Sequence, residues 1–166
     1  GSECRLIEYM ESSKKRFIIP VYQRNYDWKT ENCKQLYDDL VKVIKNNRRS
    51  HFFGSLVSVY EPSGRNTEFL VIDGQQRLTT VSLLFLAMYN LISNGIIVPE
   101  DASFGKQVYE DFLVDKYQTQ NTRIKLKPVK NDQKAFGKLF DSADEHIRES
   151  NLTMNYNYFY DRIQKQ

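Results

Sequence analysis

Cysteine is scarce in this sequence, and positive charge is only slightly in excess. Cys4 and Cys33 are the only cysteines among 166 residues, which argues against a disulfide framework and favours a reducing compartment. The formal net charge of +3 is too small to predict nucleic-acid binding from charge alone. These features predict a cytoplasmic protein and leave its partners open.

Long apolar runs and P-loop glycines are also missing. The most apolar stretch, residues 81–92, is interrupted by Ser82 and Asn90. It is shorter than the roughly 20 residues that a membrane-spanning helix needs, so no membrane partner is expected. The chain has no Gly-x-x-x-x-Gly-Lys-Ser/Thr loop and is therefore not a P-loop enzyme. Hydrophobic residues make up 40% of the chain, which predicts a single domain over residues 1–166.

The most informative segment is Asp-Gly-Gln-Gln-Arg at residues 73–77. The apolar run before it is typical of a buried strand, and the apolar run after it is typical of a buried helix. Such a junction leaves the first N–H groups of the helix outside its hydrogen-bond ladder, and Gly74 lets a ligand approach the backbone. With Arg77 in the first turn, the segment predicts an anion site, for which phosphate is the usual anion. Asp73 adds a carboxylate that can hold a metal ion or orient a water.

A simpler interpretation of this segment stays open. Asp-Gly before a helix is also typical of a turn with an N-cap, in which Arg77 pairs with Asp73 on the surface. Short motifs occur by chance often enough that residues 73–77 alone do not decide between the two.

A second cluster, residues 20–28, favours the functional interpretation, and we call it the aromatic loop. Its rings can stack on a base or wall a pocket, and Arg24 can neutralise a second phosphate. For Trp28, packing in the core explains the residue equally well. The candidate nucleotide-binding residues are Tyr22, Gln23, Arg24, Tyr26 and Trp28 of this loop, with Gly74, Gln75, Gln76 and Arg77 at the helix start.

Together the segments resemble a known family. Ile-Pro-x-Tyr-Gln-Arg-x-Tyr-x-Trp at 19–28, Phe-Phe-Gly-Ser at 52–55 and Asp-Gly-Gln-Gln-Arg-Leu-Thr-Thr at 73–80 look like the N-terminal domain of GmrSD-type, modification-dependent restriction endonucleases. The resemblance covers residues 17–162 and implies a ParB/sulfiredoxin-like fold in the regulatory domain of a phage-defence system. It implies binding and hydrolysis of a nucleoside triphosphate, with Asp73 and Arg77 as catalytic residues. Asp73 is then the ligand of a divalent metal, and magnesium is the expected ion.

The resemblance also implies partners. A separate C-terminal HNH-type nuclease domain, in cis or in trans, is expected to cut DNA in the full-length protein. His51 and His146 lie far apart and outside any Asn-rich setting typical of that nuclease, so we expect this chain to be a fragment that holds the first domain. Two alternatives stay open. One is nuclease activity of this domain itself, and the other is a reader of modified DNA that holds a flipped base between aromatic rings.

The pattern of apolar residues predicts an α+β fold in which helices surround a small mixed or antiparallel sheet. Lys125 and Lys127 are predicted to share a solvated sheet edge, and Gly95 is predicted to end the long apolar helix. If the two motifs form one site, strand pairing brings them together, and the Arg24 and Arg77 side chains converge on one cavity. Strands are predicted at 16–19, 52–60, 67–72 and 123–127, and helices at 6–12, 30–47, 78–92, 104–116, 132–140 and 154–163.

Overall fold

Strands and helices are described for residues 2–5, 15–20, 23–45, 55–63, 66–115 and 123–165 in a computed structural model. The strands are β1 (Ser2–Arg5), β2 (Lys15–Ile18), β3 (Ser55–Ser63), β4 (Asn66–Asp73) and β5 (Leu126–Lys127). The helices are α1 (Thr30–Lys45), α2 (Gln75–Ser93), α3 (Phe104–Val108), α4 (Lys130–Lys138) and α5 (Asn151–Gln164), with a π-helical turn at Tyr109–Leu113 and a 3-10 turn at Ala143–Glu145.

The described strands form one sheet in the order β1-β3-β4-β2-β5. The pairs β1/β3 and β3/β4 are antiparallel, whereas β2 runs parallel to both β4 and β5. The α+β class is therefore confirmed, and a purely antiparallel sheet is wrong. Because β4, β2 and β5 run parallel, their carboxyl ends meet at one edge of the sheet, where ligands commonly bind in open sheets. The ParB/sulfiredoxin-like relationship stays a prediction.

Helix α2 crosses the centre of the molecule and is buried along most of its length. Its apolar residues pack with the sheet, α4 and α5 into one hydrophobic cluster. Phe17 of β2 and Phe69 of β4 are paired in register, and their rings stack with centroids 5.9 Å apart. Gly95 follows the helix with φ of 74° and donates its N–H to the Ile92 carbonyl at 3.0 Å. The predicted end of the helix is thus confirmed.

Two expectations need correction, and two others lie outside the described residues. The helix predicted at 104–116 is α3 followed by the π-helical turn, and the chain is already extended at Val114. The strand predicted at 123–127 is confined to β5. The predicted helix at 6–12 and the Phe-Phe-Gly segment at 52–54 lie outside the described residues.

Within the described part of the chain, no helix has the length and apolar character needed to cross a bilayer.

Lys125 was expected on a solvated edge, and this prediction is wrong. Its side chain is only 2% exposed, and its ammonium group donates to the Asp111 carbonyl at 2.5 Å. Asp111 lies in the π-helical turn, which directs this carbonyl towards β5. A charged hydrogen bond of this kind offsets part of the cost of burying the amine.

Candidate functional site

The junction between β4 and α2 has the strand-turn-helix form that the sequence predicts. Gly74 adopts φ of 88° and ψ of 12°, a left-handed conformation that favours glycine. The exposed Asp73 turns one carboxylate oxygen back to accept the Gly74 N–H at 2.9 Å. The first bond of the helix ladder joins Leu78 N–H to the Gly74 carbonyl at 2.9 Å. No side chain caps this helix start, and the first backbone N–H groups of a helix lie outside its own hydrogen-bond ladder.

Gln76 fixes the aromatic loop over the start of α2. Its Oε1 accepts the Asp27 N–H at 2.9 Å, and its Nε2 donates to the Asn25 carbonyl at 3.3 Å. The residue is only 9% exposed. The side chain of Gln76 is therefore committed to the loop, and a role in binding a nucleotide is left to its backbone N–H.

Tyr26 anchors the same loop in the core. Thr80 gives its hydroxyl hydrogen to the Gln76 carbonyl at 2.7 Å. Tyr26 must therefore donate to Thr80 Oγ1, at 2.7 Å, while it accepts from Asn155 Nδ2 at 2.8 Å. Burial raises the pKa of Tyr26 above its ordinary value, and its side chain is 7% exposed. These bonds give Tyr26 a structural role, and stacking of its ring on a base stays a prediction.

Arg77 and Trp28 bring the two motifs into contact. The guanidinium carbon of Arg77 lies 5.9 Å from the centre of the Trp28 ring, within the range of a cation–π interaction. The half-buried Trp28 is held by its carbonyl, which accepts from Asn155 Nδ2 at 2.8 Å. Among the described ion pairs there is none between Arg77 and Asp73, so the surface-pair interpretation is not supported. The expectation that strand pairing joins the two motifs is confirmed, since β2 and β4 are parallel neighbours.

The other loop candidates differ in their surroundings. Arg24 is 73% exposed, and its guanidinium lies 3.8 Å from the Asp27 carboxylate. Gln23 is half-buried and donates its backbone N–H to the Pro20 carbonyl at 3.0 Å in a turn. Tyr22 lies outside the described residues. Arg24 therefore has a carboxylate partner on its own loop, and a cavity shared with Arg77 stays a prediction.

With this geometry established, the comparison with known families decides the relationship. The family model for the GmrSD restriction endonuclease, N-terminal domain, matches residues 6–166. The chain belongs to this family. No curated protein matches the sequence. The resemblance seen in the two motifs is thus confirmed, and it places this GmrSD N-terminal domain in a restriction endonuclease system.

Asp132 is a residue of the site region that sequence reasoning missed. Asp132 lies in the first turn of α4, the helix that follows β5 along the chain, and its carboxylate accepts the Tyr26 N–H at 2.7 Å. Burial raises the pKa of Asp132, although the hydrogen bond from Tyr26 opposes the shift. The signal in the sequence is an acid after a short strand, as at Asp73, but the contact spans 106 residues and no local pattern predicts it.

The donor set at this edge limits how a metal ion can bind. Asp73 offers one exposed carboxylate, of which one oxygen already accepts from Gly74. Within the described ranges, no group of three or more His, Cys, Asp or Glu side chains is arranged to hold a metal. Magnesium commonly binds through one or two carboxylates together with substrate phosphates. The residues therefore fit a metal that arrives with a nucleotide rather than one held by the protein alone.

Proposed function

We propose that this GmrSD N-terminal domain binds a nucleoside triphosphate at the start of α2 and hydrolyses it, as the regulatory domain of a phage-defence restriction endonuclease. The observation that carries the proposal is the uncapped start of α2 with Arg77 in its first turn. A helix start and a planar cation together suit the oxygens of a phosphate.

The proposed roles follow from position. The backbone at the start of α2 and the Arg77 side chain bind phosphate oxygens, and Gly74, whose N–H is bonded to Asp73, lets the ligand approach closely. Trp28 lies against Arg77 and limits where its guanidinium can point. Arg24 reaches a second phosphate by leaving Asp27, a small cost because that exposed pair is 3.8 Å long.

Asp73 is proposed as the metal ligand and the group that orients the attacking water. A divalent ion, with magnesium as the expected one, neutralises charge on the phosphates when it is bound. The remaining carboxylate oxygen of Asp73 is the one available for this role, since the other accepts from Gly74. The proposed partners of the full-length protein are DNA and an HNH-type nuclease domain in cis or in trans.

A DNA-modification reader is the second candidate, and the surroundings of Tyr26 weigh against it. A reader needs the aromatic side chains to wall a cavity for a flipped base. Tyr26 lines a cavity with Asn25 and Asp132, but most of the residue is buried and its hydroxyl is already bonded to Thr80 and Asn155. Nuclease activity of the domain itself has less support, because a metal nuclease needs several acidic ligands and, among the described residues, no group of three or more His, Cys, Asp or Glu side chains is arranged to hold a metal.

Calorimetric titration with nucleoside triphosphates, with and without magnesium, tests the proposal. We expect metal-dependent binding, and we expect Arg77→Ala to weaken it about ten-fold or more, because each charge-assisted phosphate bond contributes roughly 1.5–3 kcal/mol. Lys42→Ala on α1 removes an exposed charge away from the site and serves as the control. Unchanged affinity in a folded Arg77→Ala protein would place the site elsewhere, and binding of modified oligonucleotides alone would favour the reader.

A further inference from the structure

A cavity lies beside the aromatic loop, between that loop and the starts of α4 and α5. Its volume is about 530 Å³, and three asparagines line it, Asn25, Asn131 and Asn151. We infer that this cavity, called the amide cavity here, binds the nucleobase of the nucleotide and determines base preference. The inference rests on the proposed function and adds the part of the ligand that the start of α2 does not contact.

The position of the amide cavity follows from Asn25. The Asn25 carbonyl accepts from Gln76 Nε2 at 3.3 Å, and Gln76 is in the first turn of α2. Asn25 also lines the amide cavity. One loop residue therefore separates the proposed phosphate site from the cavity. A nucleotide carries its base and its phosphates at opposite ends of a sugar, so it needs two adjoining sites of different chemistry.

The lining of the amide cavity suits the edge of a base. Each asparagine amide presents both a donor and an acceptor, and asparagine reads bases through paired hydrogen bonds. The side-chain amides of Asn25, Asn131 and Asn151 make no hydrogen bond with the described residues. Ala135 and Ile147 add apolar surface to the same cavity, against which the flat face of a base can pack.

The same cavity is poorly suited to a phosphate. Asp132 and Glu149 line it with only one cation, Lys134, so an additional anion would meet net negative charge. The start of α5 is closed as well, because Ser150 Oγ caps it by accepting the Leu152 N–H at 3.1 Å. The two sites are therefore complementary: the start of α2 attracts anions, and the amide cavity takes a neutral group that forms hydrogen bonds.

Competition among nucleotides tests the inference. Calorimetry with magnesium and ATP, GTP, CTP, UTP or inorganic tripolyphosphate is run on the wild type and on Asn131→Ala and Asn151→Ala. We expect the wild type to bind one nucleotide more tightly than the others, and we call the ratio of its strongest to its weakest affinity the base-preference ratio. Each variant should lower this ratio about five-fold or more, while its affinity for tripolyphosphate is unchanged. Asn157→Ala, an exposed asparagine on α5 outside this cavity, should retain the wild-type ratio.

The outcomes separate the two proposals. If the wild type binds all four nucleotides alike, or if Asn131→Ala and Asn151→Ala both keep its ranking, the amide cavity does not read the base, although the phosphate site stands. If Arg77→Ala leaves tripolyphosphate and nucleotide affinity unchanged while the asparagine variants alter base preference, the amide cavity reads the base and the phosphate site is wrong. If neither nucleotide nor tripolyphosphate binds the wild type, both proposals fail.

Discussion

Gln76 and Asp27 lie 49 residues apart and are joined by a hydrogen bond of 2.9 Å from the Asp27 N–H to Gln76 Oε1. Gln76 Nε2 also donates to the Asn25 carbonyl. The side-chain amide of Gln76 thus accepts from one backbone N–H of the loop and donates to one backbone carbonyl, as the backbone of a neighbouring strand would. The two motifs are thereby parts of one structure, and the position of the aromatic loop depends on a residue of the other motif.

The first prediction concerns this pairing. Gln76→Ala leaves the Asp27 N–H and the Asn25 carbonyl without this partner, at hydrogen bonds that are partly buried. We expect the free energy of unfolding to fall by about 1–3 kcal/mol, the usual cost of unsatisfied polar groups. Urea unfolding followed by circular dichroism measures it. Gln35→Ala on the exposed face of α1 is the control, with a change expected within about 0.5 kcal/mol. Equal effects of the two substitutions would contradict the role of Gln76.

The second prediction concerns the Tyr26 hydroxyl. In Tyr26→Phe, Asn155 keeps its bond to the Trp28 carbonyl and Thr80 keeps its bond to the Gln76 carbonyl, so neither neighbour loses every partner. We expect a loss of about 0.5–1.5 kcal/mol in the free energy of unfolding. Tyr160→Phe is the matched control, because the Tyr160 hydroxyl has no hydrogen bond within the described part of the chain. A smaller loss in Tyr26→Phe than in the control would show that the buried chain of bonds does not stabilise the loop.

Local sequence patterns were sufficient to predict the backbone conformation of the site. An apolar strand, a glycine and an apolar helix predict the turn at Gly74, and the structure places that residue at φ of 88°. The meeting of the two motifs was also predictable, because each follows a strand and neighbouring strands end together when they run parallel.

The supporting side chains were not predictable in this way. Tyr26 binds Thr80 and Asn155, which lie 54 and 129 residues away, and a single sequence gives no sign of such contacts. The alternation of charged and apolar residues also failed at Lys125, because a distant carbonyl at Asp111 makes its burial possible. Periodicity reports which face a residue lies on, whereas these contacts depend on the arrangement of elements far apart in the chain.

The third prediction concerns hydrolysis. Asp73→Asn keeps the size of the side chain and its ability to accept the Gly74 N–H, but it loses the charge proposed to hold the metal or orient the water. We expect turnover of the nucleotide to fall much further than affinity. Turnover is measured as phosphate release at saturating nucleotide, and affinity is measured by calorimetry. Equal losses in both, or full turnover, would remove Asp73 from the catalytic role.

The fourth prediction concerns the dependence of stability on pH. Burial raises the pKa of Asp132 above its ordinary value of 3.8, so the folded protein holds this proton to a higher pH than the unfolded chain does. The contribution of Asp132 to stability therefore declines as pH rises from 3.8 through the raised pKa, and it is constant above that range. At Asp38 the sign is opposite, because hydrogen bonds from Lys34 and Arg162 lower the pKa of that carboxyl.

Asp132→Asn cannot ionise and keeps an oxygen that can accept the Tyr26 N–H. Its free energy of unfolding, relative to the wild type, should rise as pH increases from below 3.8 to neutral and then level off. Asp38→Asn should show the reverse, with a deficit at neutral pH that disappears as pH falls through the lowered pKa of Asp38. Urea unfolding of the three proteins over this pH series measures both differences. If the difference in free energy of unfolding between Asp132→Asn and the wild type does not change with pH, the Asp132 carboxyl is solvated in the folded protein. Ionisation of Asp132 would then not destabilise the fold that holds the aromatic loop.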